Sequence, residues 1–415
     1  MRATTFLAAT SLSLATLALP PAAGVARAQG RGNYPHPDST VTTLVGRLSL
    51  DRYKATVAGL TKFGDRRQGT QRNRDAVDWI EAQLKSYGCQ DVQRLTYSYT
   101  QREYRPRPRP TGAQASRPPR PPSEYAVGGG RYRGNRARTG VNNDSTRQPD
   151  PAIRALDTEQ TPPGTSDRQE VFCTKVGSVH PDEAYIVGGH MDGIGWGQAA
   201  NDDGSGTALV MELARVFSSP DVKTDRSIRF VLWNNEETGL NGSRAYVEQR
   251  EALQGKEDPP GSGKYPEPKW LGMIQHDMMM WDHGMPRADG TVSPTQRPEA
   301  DVNIEFQSSS KMAAESQKLA WFFQDANEKY ATDYPAAVGQ HMTNTDSDPF
   351  KDICPTISMR ENFRGTQIGA GWDPNWHQQT DVLSTYTDDD YRLGLNAAQT
   401  TLGAVAELVG TTIKP

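Results

Sequence analysis

The sequence is short of cysteine, of apolar residues and of net charge, and each shortage excludes something. Three cysteines in 415 residues, without a CxxC pair, exclude a disulfide-rich scaffold and a CxxC metal site. One disulfide and one free thiol among Cys89, Cys173 and Cys354 fit this count, but the sequence does not select the pair. The net charge of −4 and the pI of about 6.0 give no overall field that would attract nucleic acid.

Apolar residues make up only 35% of the chain, and the mean hydropathy is −0.73. These values are low for a compact domain, so part of the chain is expected to lie outside any packed core. The length suffices for one large α/β domain or for two ordinary ones. Beyond the N-terminus, no apolar run is long enough to span a bilayer.

The first 28 residues are predicted to be a secretory signal peptide. Arg2 is followed by the apolar stretch TTFLAATSLSLATLALP, and Ala26-Arg27-Ala28 fits a cleavage site. The apolar stretch falls short of the ~20 residues that a transmembrane helix needs. We therefore expect cleavage after Ala28, an N-terminal extension over residues 29–42, and export to the periplasm or the medium.

Residues 43–100 are predicted to be the first folded part of the chain. The stretch DAVDWIEAQLKSYG places Val77, Ile80 and Leu84 on one helical face, and Gly88 suits the end of that helix. The following residues, QDVQRLTYSYT, alternate between apolar and polar in the manner of a β-strand.

Residues 101–167 are predicted to be a disordered insertion. They are rich in Arg, Pro and Gly, with ten Arg against two Glu between 101 and 140, and such a composition cannot build a core. We interpret this insertion as a solvated linker. An electrostatic contact to an anionic surface, such as an envelope polymer or nucleic acid, is the alternative.

Strands and helices alternate over the remaining core, residues 168–412. VFCTKVG, AYIVGGH, SIRFVLWN, KWLGMIQHD and CPTISM are typical of strands, and SGTALVMELARVF, GSRAYVEQR and LAWFFQDANEKYA are typical of helices. A last helix is predicted from about 388 to 409, capped by Thr387 with Asp390 and ended by Gly410. This order predicts an α/β fold with a mixed, mainly parallel central sheet and helices on both faces.

Potential metal ligands recur where these predicted strands end. A histidine or a carboxylate at one strand end usually has an ordinary structural role, and an aspartate before a helix is usually its cap. Together, however, they converge on the carboxyl edge of one sheet, where ligands bind in open α/β folds. The residues are His190, Asp192, Asp202, Asp203, Glu236, Glu237, Asp277 and His377.

Two imidazoles with three carboxylates favour zinc over magnesium or calcium. A single catalytic zinc takes three protein ligands, so the set suggests two metals that share one carboxylate. The adjacent Glu236 and Glu237 then have a purpose. One glutamate would bind a metal, while the other would take a proton from the water that bridges the metals and pass it to the leaving amine.

At these residues the chain resembles the two-zinc, co-catalytic exopeptidases that include secreted bacterial aminopeptidases, with glutamate carboxypeptidases and glutaminyl cyclases as relatives. The similar blocks are FGDRRQGTQRNRDAVDWIEAQLKSYG, PDEAYIVGGHMDG, ANDDGSGTALVMELARVF, RFVLWNNEETGLNGSRAYV, MIQHDMM and WHQQTDVL. The resemblance covers about 43–100 and 168–410. It implies the zinc aminopeptidase/phosphorylase-like fold, two Zn²⁺ per chain and a peptide substrate with a free N-terminus.

Position by position, the resemblance implies a role for each residue of the set. His190 and Asp277 would bind one zinc, and Glu237 and His377 would bind the other. Asp202 would bridge both ions.

The same resemblance makes Glu236 the general base and acid. It makes Asp192 the partner that orients His190 by accepting a hydrogen bond from its other ring nitrogen. Asp203 is expected to be a cap or a supporting group. The chain departs from the family where Ser347 replaces a histidine and where Trp376 replaces a tyrosine whose phenol could bind the oxyanion.

We favour an aminopeptidase over two alternatives. A carboxypeptidase or dipeptidase would need a cation for the substrate carboxylate, and Arg360 and Arg364 are the candidates. A non-catalytic binding protein on the same fold is disfavoured because all ligands and the base are present, and a cyclase because those relatives use one zinc. The pocket walls are expected within 278–310 and 338–375.

Overall fold

The computed structural model describes residues 37–102, 140–281, 302–342, 344–361 and 373–414. All of them belong to one compact unit, Pro37–Pro415. The helices are α1 Ser39–Val45, α2 Leu50–Thr61, α3 Gln71–Ser86, α4 Pro151–Leu156, α5 Gly204–Phe217, α6 Asn241–Arg250, α7 Ala313–Tyr330 and α8 Asp388–Leu408. The strands are β1 Gln90–Gln101, β2 Gly164–Lys175, β3 His180–His190, β4 Val222–Lys223, β5 Arg226–Trp233, β6 Lys269–His276, β7 Val302–Glu305, β8 Ala336–Gly339, β9 Thr356–Arg360 and β10 Thr412–Ile413.

Eight strands form one twisted sheet in the order β1-β2-β5-β3-β6-β9-β7-β8. The central strands β5, β3, β6 and β9 are parallel, as are β7 and β8, whereas β1–β2, β2–β5 and β9–β7 are antiparallel. The predicted mixed, mainly parallel sheet is therefore confirmed. The short strands β4 and β10 form a separate pair.

Side chains alternate across the sheet, which gives it two buried faces. On β5, Phe230 and Leu232 join one hydrophobic cluster with residues of α5 and α8, whereas Val231 and Trp233 join a second cluster with Tyr246 of α6. Successive strand residues point to opposite faces, so this uninterrupted apolar strand must be covered on both sides. Helices on both faces were predicted, and the two clusters confirm them.

Helix ends follow the predicted caps. The hydroxyl of Thr387 and the carboxylate of Asp390 form a reciprocal capping box at the start of α8. Gly410 and Gly88, which follow α8 and α3, both have the positive φ that glycine adopts without strain. No helix among the described residues is long and apolar enough to cross a membrane.

The end of the predicted disordered insertion is ordered, which corrects the boundary at residue 167. Residues 151–156 form α4, and β2 begins at Gly164. The side chain of Gln148 donates to the carbonyls of Trp196 and Gln379, and Asp157 is buried, where it accepts the N–H of Asp65. Polar side chains and not an apolar core hold this stretch in place. The prediction for 103–139, and the signal peptide over 1–28, lie outside the described residues.

The N-terminal boundary also differs from the prediction. Helix α1 begins at Ser39, inside the predicted extension 29–42, and its N-terminus is capped by Asp38. Val41, Leu44 and Val45 are buried in the larger hydrophobic cluster. The part of this extension that the structure describes is thus folded against the core.

Cys89 and Cys173 form the disulfide that the sequence left open, and Cys354 is a buried free thiol. The bond closes a separation of 84 residues in sequence. Because it restricts the unfolded chain, we expect the Cys89→Ala, Cys173→Ala double variant to lose about 2–4 kcal/mol of unfolding free energy in denaturant titrations. Reductant should destabilise the unmodified protein but not the double variant. Equal sensitivity of both proteins to reductant would contradict this prediction.

Candidate metal centre

The predicted ligands gather at the carboxyl ends of three adjacent parallel strands. His190 is the last residue of β3, Glu236 and Glu237 follow β5, and Asp277 follows β6. His377 comes from the loop before α8. Residues separated by almost 190 positions therefore meet because the sheet places their strand ends side by side.

Two glycines allow the start of α5 to approach β3. A Cβ on Gly189 would lie 2.8 Å from the backbone of Gly206, and a Cβ on Gly206 would lie 2.5 Å from the Asp203 carboxylate. The Asp203 side chain accepts the N–H of Gly206 at 2.8 Å and the N–H of His190 at 2.9 Å. Asp203 is therefore a helix cap, as expected, and it ties the helix to the end of β3.

The ligand atoms form two clusters. His190, Glu236 and Asp277 make one, and Asp202, Glu237 and His377 make the other, with the potential ligand atoms of each within 4.8 Å of one another. Asp202 also reaches the first cluster, which gives the arrangement expected of a bridging carboxylate. Its Oδ1 lies 3.3 Å from Nε2 of His190, and its Oδ2 lies 2.9 Å from Nε2 of His377.

The chemistry of these residues fits divalent metal. Oε1 of Glu237 and Nδ1 of His377 are buried and have no hydrogen-bond partner. Buried carboxylates without cations are costly, and a cation held between them would offset that cost. Imidazole nitrogens combined with carboxylate oxygens are a donor set that suits zinc.

Without a cation the centre retains protons. Burial raises the pKa of Glu236 well above its ordinary value, and the adjacent charge of Glu237 adds to the shift. Burial also raises the pKa of Glu237, to about 7. Burial disfavours a charged His377, yet the carboxylates of Glu237 and Asp202 raise its pKa to about 10. Metal ions would replace these protons, so binding is expected to release them.

Comparison with known proteins identifies the family. Residues 170–399 match the model of Peptidase family M28. The chain belongs to this family. The predicted recognition is therefore confirmed, and membership supports the predicted class of enzyme, a metallo-exopeptidase.

The relatives carry peptidase names. The probable lipoprotein aminopeptidase LpqL of Mycobacterium tuberculosis is 31% identical over 236 residues, 56% of this chain and 43% of that protein. Carboxypeptidase Q of Xenopus laevis is 38% identical over 83 residues, 20% of this chain and 18% of that protein. This chain thus spans less than half the length of these relatives. BSAP, a zinc aminopeptidase from Bacillus subtilis, shares the fold with a TM-score of 0.54 at 16% identity, covering 87% of this chain and 96% of that one.

Within this M28 centre, Asp192 differs from its predicted role. Nδ1 of His190 lies 3.0 Å from the main-chain carbonyl of Asp192, and the Asp192 carboxylate is farther away, at 3.8 Å. The carbonyl therefore orients the imidazole. The carboxylate instead accepts the N–H of Glu236 at 3.0 Å, so it positions the loop that carries both glutamates.

Sequence reasoning missed a second loop anchor, Asp381. Its two carboxylate oxygens accept the N–H groups of Asn201 and Asp202 at 2.8 and 3.1 Å. These bonds fix the backbone of the predicted bridging residue. The signal was present in the block WHQQTDVL, which ends near Asp381, but the block was read only for His377.

Arg360 has a different partner from the one considered in the sequence analysis. Its side chain is 1% exposed and its Nη2 donates to Oδ2 of Asp277 at 2.8 Å. The guanidinium is thus committed to a predicted metal ligand and is not displayed for a substrate carboxylate. Arg364, the other candidate, lies outside the described residues.

A cavity of about 270 Å³ opens onto the M28 centre. Its apolar walls are Val141, Leu240 and Trp376, and the Trp376 indole stacks on the His377 ring with centroids 3.8 Å apart. Asn344, within the predicted wall segment 338–375, also lines the cavity. Val141 and Leu240 were not predicted.

The Val141 wall is built by the ordered end of the insertion. The N–H of Asn142 donates to the carbonyl of His377 at 2.9 Å, and the side chain of Gln378 donates to the carbonyl of Gly140 at 2.6 Å. The segment that carries Val141 is therefore fastened to the loop of a predicted ligand.

Proposed function

We propose that the protein is an exported, zinc-dependent aminopeptidase that removes N-terminal residues from peptides. The observation that carries this proposal is the pair of imidazole–carboxylate clusters joined by Asp202, with Glu236 beside them, in a chain of the M28 family. The aminopeptidase name of the mycobacterial relative supports it.

We assign two zinc ions to this centre. His190 and Asp277 would hold one, Glu237 and His377 the other, and Asp202 both. When bound, the ions would supply Lewis-acid activation of a water molecule and of the scissile carbonyl.

Glu236 is the residue that moves the proton. In the proposed role, a carboxylate oxygen of Glu236 takes a proton from the attacking water and delivers it to the nitrogen of the leaving amine, so the carboxylate is regenerated in each cycle. Asp192 holds the main-chain N–H of Glu236, which fixes the direction in which this side chain leaves the loop.

The charge around the cavity favours the amino end of a peptide. Carboxylates of Asp202, Glu236, Glu237 and Asp277 line the cavity, and such a wall attracts an ammonium group and repels a carboxylate. A carboxypeptidase or dipeptidase remains the alternative because one relative bears the name carboxypeptidase Q. It is disfavoured because Arg360 is buried against Asp277.

The function is tested with a panel of aminoacyl-p-nitroanilides and their N-acetylated counterparts. Chelator should abolish cleavage of the free-amine substrates, and added zinc should restore it, since the proposed chemistry needs bound metal. The acetylated substrates should stay intact. Cleavage that survives chelator would refute the metal-dependent reading, and release of C-terminal residues from acetylated peptides would establish the carboxypeptidase instead.

Export is part of the proposal. The predicted signal peptide over 1–28, the Cys89–Cys173 disulfide and the lipoprotein name of the mycobacterial relative support it, because structural disulfides persist in oxidising compartments. N-terminal sequencing of protein recovered outside the cytoplasm should begin at Gln29. An intact Met1 on active cytoplasmic protein would contradict export.

A further inference from the structure

Arg360 is the one basic side chain found beside the predicted ligands in the described part of the chain. Among described Lys and Arg residues, its guanidinium alone lies within 4.0 Å of a ligand carboxylate, at 2.8 Å from Oδ2 of Asp277. The side chains of Arg360 and Asp277 are 1% and 5% exposed, so water screens this pair little. Arginine stays charged at every physiological pH, so the charge is permanent.

The pairing leaves Asp277 with one oxygen for metal. Oδ2 faces Arg360, while Oδ1 points toward the other predicted ligand of the same subsite, at 4.0 Å from Nε2 of His190. The register of β6 and β9 fixes this arrangement, since the N–H of Asp277 donates to the carbonyl of Met359, the neighbour of Arg360.

The two halves of the centre therefore differ in charge. Each half has one imidazole and one carboxylate of its own, and both share Asp202. The carboxylate of Asp277 is neutralised by Arg360, whereas Glu237 contacts only His377 and no described Lys or Arg. A fixed cation weakens the attraction of a nearby carboxylate for a second cation.

We propose that Arg360 is a positioning residue that makes the two metal subsites unequal, so that the Glu237–His377 subsite binds metal more tightly than the His190–Asp277 subsite. This inference rests on the proposed two-metal function. The difference follows from a charge at hydrogen-bond distance in a buried setting, which is expected to weaken binding at the nearer subsite at least about tenfold. The protein would then hold its first ion firmly and exchange its second more readily.

The inference is tested by titrating metal-free protein with Zn²⁺ in a calorimeter and with Co²⁺ by visible absorption. The unmodified protein should bind two ions in two distinguishable steps. Arg360→Gln keeps a donor for Asp277 but removes the charge, so its weaker step should tighten at least about tenfold while the tighter step changes little. Arg360→Lys keeps the charge and should retain two separate steps. Arg226→Gln, whose arginine pairs with Glu183 on the same sheet, is the control and should leave both steps unchanged.

Single-ligand variants assign the steps without altering Arg360. His377→Ala should abolish the tighter step and His190→Ala the weaker one, so the order of binding can be read even if Arg360→Gln does not fold. The opposite assignment would overturn the inference, as would an Arg360→Gln protein whose two steps stay as far apart as before. A stoichiometry below two in the unmodified protein would refute the two-metal function itself, which is a different and separately visible result.

Discussion

Replacing Glu236 by glutamine is expected to lower kcat by about 10²–10⁴-fold while KM and zinc content stay close to those of the unmodified protein. The carboxamide is nearly the same size as the carboxylate, but it cannot accept the proton of the attacking water. The main-chain N–H of Glu236 would still donate to Asp192, so the loop should keep its position. Steady-state kinetics and metal analysis of the same sample measure the two quantities.

The same substitution separates two roles that distance alone allows. Glu236 lies within one cluster with His190 and Asp277, so it could bind metal instead of moving a proton. If Glu236 is a ligand, Glu236→Gln will lose zinc together with activity, and the general-base assignment will be wrong. Glu237→Gln is expected to lose metal. Glu251→Gln, on an exposed residue just after α6, serves as the matched control and should change neither property.

Replacing Arg229 by methionine is expected to lower the free energy of unfolding by about 3–5 kcal/mol, the cost of breaking a buried ion pair on one side. Arg229 on β5 and Glu267 are each 1% exposed, and their charged groups lie 2.9 Å apart. The Tyr246 hydroxyl and the Trp270 indole N–H also bond to Glu267. Methionine would fill much of the arginine volume but leave the carboxylate buried without a cation.

The same strand supplies the control for this prediction. Arg226 pairs with Glu183 at 2.8 Å, but the two side chains are 34% and 27% exposed. Solvent screens such a pair, so Arg226→Met should cost only about 0.2–1 kcal/mol. Denaturant titrations at one pH compare the two variants directly. Equal losses would show that burial does not govern the cost, and the argument from Arg229 would fail.

The central strands could be predicted because their sequences carry two signals at once. β3, β5 and β6 are apolar runs, and each is followed within a few residues by a histidine or a carboxylate. By contrast, β7 and β8 were missed. They are strands of four residues, VNIE and AAVG, whose pairing with each other and with β9 depends on contacts across the chain and not on a local pattern.

Composition misplaced the end of the insertion for a related reason. A window rich in Arg, Pro and Gly lacks the apolar residues of a core, and this is true of residues 140–163. The order of this stretch comes from single polar contacts, such as the bond between Asn142 and the carbonyl of His377, 235 positions farther along. No sequence window contains both partners.

The site shows the same division between local and distant information. The predicted ligands were recognisable because each stands at a strand end, and they do come together in the fold. Their supports were not recognisable. The bond from Arg360 to Asp277 requires that β9 lie next to β6, and the replacement of the Asp192 carboxylate by its own carbonyl is a backbone detail that residue type does not encode.

The Cys89–Cys173 bond also changes the connectivity of the molecule. The two cysteines stand on opposite sides of residues 103–139, so the sulfur bridge and the peptide backbone close a covalent ring around that stretch. One peptide bond cut inside the ring would leave a single covalent molecule, with the paired strands β1 and β2 still in register. The ring therefore offers a place where the chain can be opened to create new termini without releasing α1, α2 and α3 from the sheet.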